Sequence, residues 1–192
     1  MTSAARPAPG VRDAIIRATT ELIRDKGVGN TSISDIVARS GTSAGAIYHH
    51  FGNKERLILA VGESILAKPM TMVLQTNPEL SPAGLLEAAL GHVTRDRQTP
   101  ELLLQIWAGA KADPALGALV RGEVATARLT VRNFIAGWCA RHAPQADPDA
   151  LADLVMALVA GYAVQRAFGI AAEQTGLSEP AKRLLESLGE PG

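Results

Sequence analysis

The stretch Thr31 to Leu57, TSISDIVARSGTSAGAIYHHFGNKERL, constrains this chain more than any other part of it. It reads as a short helix, a tight turn, a very short second helix and the start of a third. Thr31 or Ser32 caps the first helix, and Asp35 three residues after Ser32 completes a weak capping box. Ile33, Ile36 and Val37 fall at helical spacing and form its apolar face. Gly41 stands where a helix end needs a residue that accepts a left-handed backbone. Thr42 and Ser43 can cap the second helix, whose body is only Ala44 to His49. Phe51 then reads as a core anchor and Asn53 as the next cap.

The short second helix is unusual for a core element. Beside Ile47 its apolar content is two alanines, and Tyr48, His49 and His50 crowd its end with hydrogen-bonding groups. Lys54 opens the third helix against the dipole, which favours acidic residues in the first turn. A phosphate outside the protein would explain that cation. Small residues at Ala44, Gly45 and Ala46 would let the backbone approach a DNA surface closely. The candidate DNA-binding residues are therefore Thr31, Thr42, Ser43, Ala44, Gly45, Tyr48, His49, His50 and Lys54, the kinds of group that meet phosphates and base edges. Ser43 also caps its helix, and Ile47 and Phe51 belong to the core.

From about Val11 to Val61 the chain resembles the DNA-binding domain of TetR-family bacterial transcription regulators. The matching pieces are Leu22-Ile23, Lys26-Gly27, Thr31-Ser32-Ile33, Asp35-Ile36, Gly41-Thr42-Ser43, Gly45 to Phe51, Asn53-Lys54-Glu55 and Leu57. Departures are Ile23 for the frequent Phe, Val37 for Ala, Thr42 for Val, and Ala44 for a common Lys or Arg. The resemblance implies a dimeric all-α regulator. Its parts would be an arm over 1–10, a three-helix domain with a helix-turn-helix over 11–60, and a ligand-binding and dimerisation domain over 61–192.

Charge is zero overall but unevenly placed. Residues 1–60 hold eight Lys/Arg against five Asp/Glu, and residues 61–192 hold eleven against fourteen. The basic surplus falls on the nucleic-acid candidate. A single cysteine, Cys139, allows no intrachain disulfide and no zinc spacing, and reads as a core residue rather than a sensor thiol. The first ten residues contain no apolar run, so neither a signal peptide nor an anchor is expected there. The longest uncharged apolar stretch, Leu154 to Gln165, is short for a bilayer. We expect no membrane, no metal and no cofactor, and a cytoplasmic protein.

Beyond residue 60 proline punctuates a helical chain. Ser81-Pro82, Thr99-Pro100, Asp113-Pro114 and Asp147-Pro148 each read as a cap followed by a first helical residue, and Ser178 precedes Pro180 in the same way. The expected helices are near 11–26, 33–40, 43–49, 54–75, 82–97, 100–111, 114–121, 122–142, 148–174 and 179–188. Pro69 falls inside the fourth, which predicts a kink or an early end at Lys68–Pro69.

The helices at 122–142 and 148–174 are the expected homodimer surface. The second is apolar nearly all round, so it needs two partners, one of which can be another subunit; burial within one chain is the alternative. For a small effector the candidates are Met70, His92, Gln105, Trp107, Lys111, Tyr162 and Arg166, with Met72, Leu86, Leu103 and Phe168 as further lining. A ring, an amide and two cations around an apolar cavity would suit a mostly hydrophobic molecule with a polar or anionic end. Two other classes stay open: a helical hydrophobe-binding protein with weak or vestigial DNA binding, and an enzyme. Against the enzyme, no paired carboxylates, nucleophile–base pair or metal-ligand grouping stands out.

Overall fold

The computed structural model describes residues 10–95 and 98–170, with positions 180, 183, 185 and 187 beyond them. The described residues are helical, without strands. The arm expected over 1–10, apart from Gly10, and the last expected helix over 179–188, apart from those four positions, lie outside them.

Three short helices open the chain: α1 (Val11–Lys26), α2 (Ile33–Ser40) and α3 (Ala44–Phe51). Side-chain caps start two of them. Ser32 Oγ accepts from the Asp35 amide while Asp35 Oδ2 accepts from the Ser32 amide, a complete capping box. Ser43 Oγ accepts from the Ala46 amide at 3.1 Å. Gly41 ends α2 at φ +68°, a left-handed conformation that costs glycine nothing.

A rod then runs from Lys54 to Thr76, capped by Asn53 Oδ1 on the Arg56 amide. It comprises α4 (Lys54–Gly62), a π-helical turn over Glu63–Ala67 and α5 (Lys68–Thr76). Proline does not break it. The early end expected at Lys68–Pro69 does not occur; just before the proline the hydrogen-bond register changes, the Lys68 amide donating to Glu63 O, five residues back.

The remaining helices are α6 (Pro82–Thr94), α7 (Gln98–Ala112), α8 (Pro114–His142) and α9 (Pro148–Ala167). Ser81, Asp113 and Asp147 cap as their prolines indicate. Helix α3 runs to Phe51 and α6 ends at Thr94, and three larger differences from expectation follow. Thr99 and Pro100 are buried inside α7, which begins at Gln98. The segments expected at 114–121 and 122–142 are one helix: each of its interior glycines, Gly117, Gly122 and Gly137, costs only about 1 kcal/mol against alanine, and packing overrides them. Helix α9 stops at Ala167, where Gly169 at φ +68° lets the Ile170 amide close back onto Gln165 O.

Two hydrophobic clusters hold these helices. The first joins Ile15, Ile23, Ile36, Ile47, Phe51, Leu57 and Val61 with Leu102, Ile106 and Leu116 from α7 and α8. The second joins Leu86, Leu90 and Val93 with Leu103, Ile135, Leu151, Val155 and Tyr162. The DNA-reading candidate is therefore not sealed at residue 60; α7 completes its core. Cys139 is buried in the second cluster, and burial pushes its thiol upward, away from a reactive thiolate.

Two helices, Lys54–Thr76 and Pro148–Ala167, are long and apolar enough to cross a membrane by length and composition alone. The Leu154–Gln165 stretch understated the second of these. Each packs against protein here: the rod contributes to both clusters and α9 to the second. Arg128 on α8 also bonds Asp149 and Asp153 on α9.

Candidate nucleic-acid interface

Helix α3 is divided along its length by burial. Ile47 and Phe51, one turn apart, enter the first core. Ala44, Gly45, Tyr48 and His49 lie on the opposite face and are exposed, Tyr48 to 51%. Among the described residues a β-carbon at Gly45 would meet only Ser43 Oγ, at 3.7 Å, so no described neighbour requires glycine there. The face is shallow at its start and bears hydrogen-bonding rings at its end.

Those rings are grouped. His49 and His50 stand edge to face at 5.3 Å, and His50 lies 6.2 Å from Phe51. The guanidinium of Arg12, on α1, sits over the Phe51 ring, 5.3 Å from its centroid. Arg12 thus places a cation beside α3 that the sequence pattern did not single out, since nothing local relates position 12 to position 51. Lys54 is half-buried at the start of α4 and forms no ion pair among the described residues. Its charge is available to a phosphate.

Two further cations, Lys26 and Arg39, are spent within the protein. Lys26 Nζ is 2.7 Å from Asp35 Oδ2, and Arg39 bonds Glu21 and Asp25 on α1. The Lys26 ammonium, with the Ser32 hydroxyl and amide, holds the Asp35 carboxyl well below the usual carboxylate range. Glu21, with Asp25, raises the Arg39 guanidinium further. These pairs tie α1 to α2 and brace the short helix behind them.

Of the DNA-binding candidates, Thr31 is out of reach. It is 1% exposed and its hydroxyl donates to Gly27 O at 2.8 Å, so it fastens the α1–α2 turn. Thr42 is half-buried and shares a hydrogen bond with Ser40 Oγ. Ser43, Ala44, Gly45, Tyr48, His49, His50 and Lys54 remain together along α3 and the start of α4.

The effector candidates are not brought into one cavity. Gln105 and Trp107 lie on opposite sides of α7. Gln105 is exposed against the end of α1, its Oε1 3.1 Å from where a Gly27 β-carbon would stand, whereas Trp107 packs on the second core. Lys111 is exposed at the end of α7. Met70 packs on the second core, and His92 bonds Ile65 O. A groove of about 370 Å³ lies between α1, α7 and the end of α9, lined by Arg24, Glu101, Leu102, Leu104, Gln105, Ala108 and Ala167. Tyr162 and Arg166, one turn apart on α9, are distinctive: the Tyr162 hydroxyl and Arg166 Nε are buried without a hydrogen-bond partner among the described residues.

The chain is similar to known proteins in part of its sequence and in its fold. The family described as bacterial regulatory proteins, tetR family, matches residues 15–61. A transcriptional repressor of the helix-turn-helix type from Mycobacterium tuberculosis is 39% identical over 80 residues, covering 42% of this chain and 40% of the repressor. The chain thus spans about two fifths of the length of such curated relatives. Among solved structures, a TetR-family transcriptional regulator from Rhodococcus sp. superposes with a TM-score of 0.73 at 20% identity, covering 94% of this chain and 98% of that one. GusR of Salmonella enterica superposes at 0.70 with 23% identity, over 98% and 99%. At those identities the likeness establishes the fold over nearly the whole length.

Proposed function

Since residues 15–61 of this chain belong to the tetR family of bacterial regulatory proteins, we propose that it regulates transcription by binding DNA. It acts as a repressor on a palindromic operator, as a homodimer, in the cytoplasm, and a small mostly hydrophobic effector releases it. The observation that carries this reading is α3 itself: a helix anchored by Ile47 and Phe51 that presents Ala44, Gly45, Tyr48 and His49 outward beside an unpaired Lys54. A helix held this way fits a major groove, with hydroxyl, imidazole and ammonium groups for phosphates and base edges. Residues 11–60 form the reading unit, and residues 61–192 bind the effector and the second subunit.

For the dimer, support comes from the outward side of α8 and α9. Val124 and Leu129 are exposed on α8 although apolar, and Gly161 on α9 has open space at its missing β-carbon, so a second helix could approach closely. For the effector, support comes from Tyr162 and Arg166. Two buried donors without acceptors suit the carbonyl or carboxylate of an otherwise apolar molecule.

A mobility-shift titration with duplexes from the chain's own upstream region tests the DNA reading. Saturable binding to one palindromic duplex, lost in 20-fold excess of unlabelled specific duplex and kept in nonspecific DNA, is the expected result. Binding of apolar ligands with no duplex retained at low salt would instead favour the hydrophobe-binding protein.

A further inference from the structure

The rod from Lys54 to Thr76 changes register at one place, and a side chain from another helix sits there. Through an α-helix, the amide of residue 69 would donate to the carbonyl of residue 65. Residue 69 is proline and has no amide hydrogen. The Ile65 carbonyl instead faces His92 of α6, whose Nε2 is 2.5 Å from it. A carbonyl can only accept, so the ring nitrogen is the donor. His92 is half-buried and lies 27 residues further along the chain. The Ile65 side chain packs against both hydrophobic clusters. One residue of the rod therefore touches both cores through its side chain and α6 through its carbonyl.

We propose that His92 is the positioning residue of the DNA-reading unit. Its hydrogen bond replaces the one Pro69 cannot make and fixes the register of the rod at Glu63–Ala67. Register sets the rotation and length of the rod on either side, so α6 governs how α4 presents α1–α3 to the duplex. The bond stands independently of the regulator reading; its consequence for DNA rests on that reading.

The test uses the full chain as wild type, His92→Ala, His92→Gln, Pro69→Ala and the Pro69→Ala/His92→Ala double variant. Hydrogen–deuterium exchange over residues 63–76 is read beside affinity for the operator duplex. His92→Ala should speed exchange there about tenfold and weaken operator binding about tenfold, the loss of one hydrogen bond. His92→Gln, which keeps an N–H donor, should recover most of both. In the Pro69→Ala background residue 69 regains an amide for Ile65 O, so His92→Ala should change neither. Unaltered exchange in His92→Ala, or equal damage with and without Pro69, overturns the proposal, because the ring would then act by packing alone. Should His92→Ala fail to fold, rescue by Pro69→Ala supports the proposal and failure of that rescue overturns it. A wild type that binds no duplex would remove the regulator reading, and the exchange measurement would still decide the hydrogen bond.

Discussion

A β-carbon at Gly109 of α7 would stand 2.7 Å from Cγ1 and 2.8 Å from Cβ of Val28, in the turn between α1 and α2. Helix α7 thus meets the α1–α2 turn across a glycine, and Leu102 and Ile106 of the same helix enter the first core. Alanine at 109 would gain about 1 kcal/mol of helix propensity. Overpacking typically costs about 1–3 kcal/mol, and Val28 meets the new atom with its stiff branched carbon rather than a flexible tip. Overpacking should win. Gly109→Ala is expected to lower the urea midpoint, and Val28→Ala added to it should recover part of the loss. An unchanged midpoint in the single variant would show that the two halves are less closely docked.

The outward face of α3 separates stability from binding. Gly45→Ala adds a methyl group that meets only Ser43 Oγ, at an ordinary contact distance of 3.7 Å, so the free protein should be as stable or slightly more so. Operator binding should nevertheless weaken, because the methyl group enters the DNA contact. Lys54→Ala should weaken binding and reduce the slope of log affinity against log salt by about one unit. Equal affinity in both variants, measured across a salt series, would mean another surface meets the duplex.

Asp35 makes the α1–α2 brace acid-sensitive at unusually low pH. Its folded-state value lies below the ordinary 3.8, chiefly because of Lys26, then Ser32. The brace is therefore fully present above the unfolded value near 3.9 and is lost as pH falls through the folded value. Carboxyl-carbon NMR should show Asp35 still ionised at pH 3.5. A midpoint at or above 3.8 would contradict the Lys26 contact.

The assembled protein should sediment at about twice the chain mass of 20.1 kDa. Gly161→Glu places a carboxylate on the small-residue face of α9 and should yield monomers, since a buried unpaired charge is strongly unfavourable. Operator affinity should fall with it as the tethered second half-site is lost. A wild type that sediments as a monomer at micromolar concentration would remove this interface.

Tyr162 offers a test of the effector site that does not depend on knowing the effector. Its hydroxyl is buried without a partner, so Tyr162→Phe should leave the free protein equally or more stable. The same change should raise the concentration of a weakly acidic apolar compound needed to release DNA, about tenfold for one hydrogen bond. Trp107, half-buried on the second core, supplies a fluorescence signal once Trp138→Phe silences the other indole. Release at the same concentration in Tyr162→Phe would place the effector elsewhere, with the groove beside Gln105 the next site to probe.

Sequence alone determined the features whose causes lie within one helical turn. Ser32, Ser43, Asn53, Ser81, Asp113 and Asp147 each cap a helix because a side-chain oxygen and the amides it satisfies are two or three residues apart. Ile36, Ile47 and Phe51 were legible as core for the same local reason, their spacing along a helix. The outward face of α3, and with it most of the candidate DNA contact, followed from those two signals. Only the tertiary structure decided what depends on partners distant in sequence. Arg12 meets Phe51, Gly109 meets Val28, and His92 meets the carbonyl that Pro69 leaves without a donor. Thr31 looked like a surface hydroxyl and is buried, while Gln105 and Trp107 looked like one site and face apart. In each case the deciding energy is burial or a hydrogen bond supplied by another helix, and a window of neighbouring residues does not contain it.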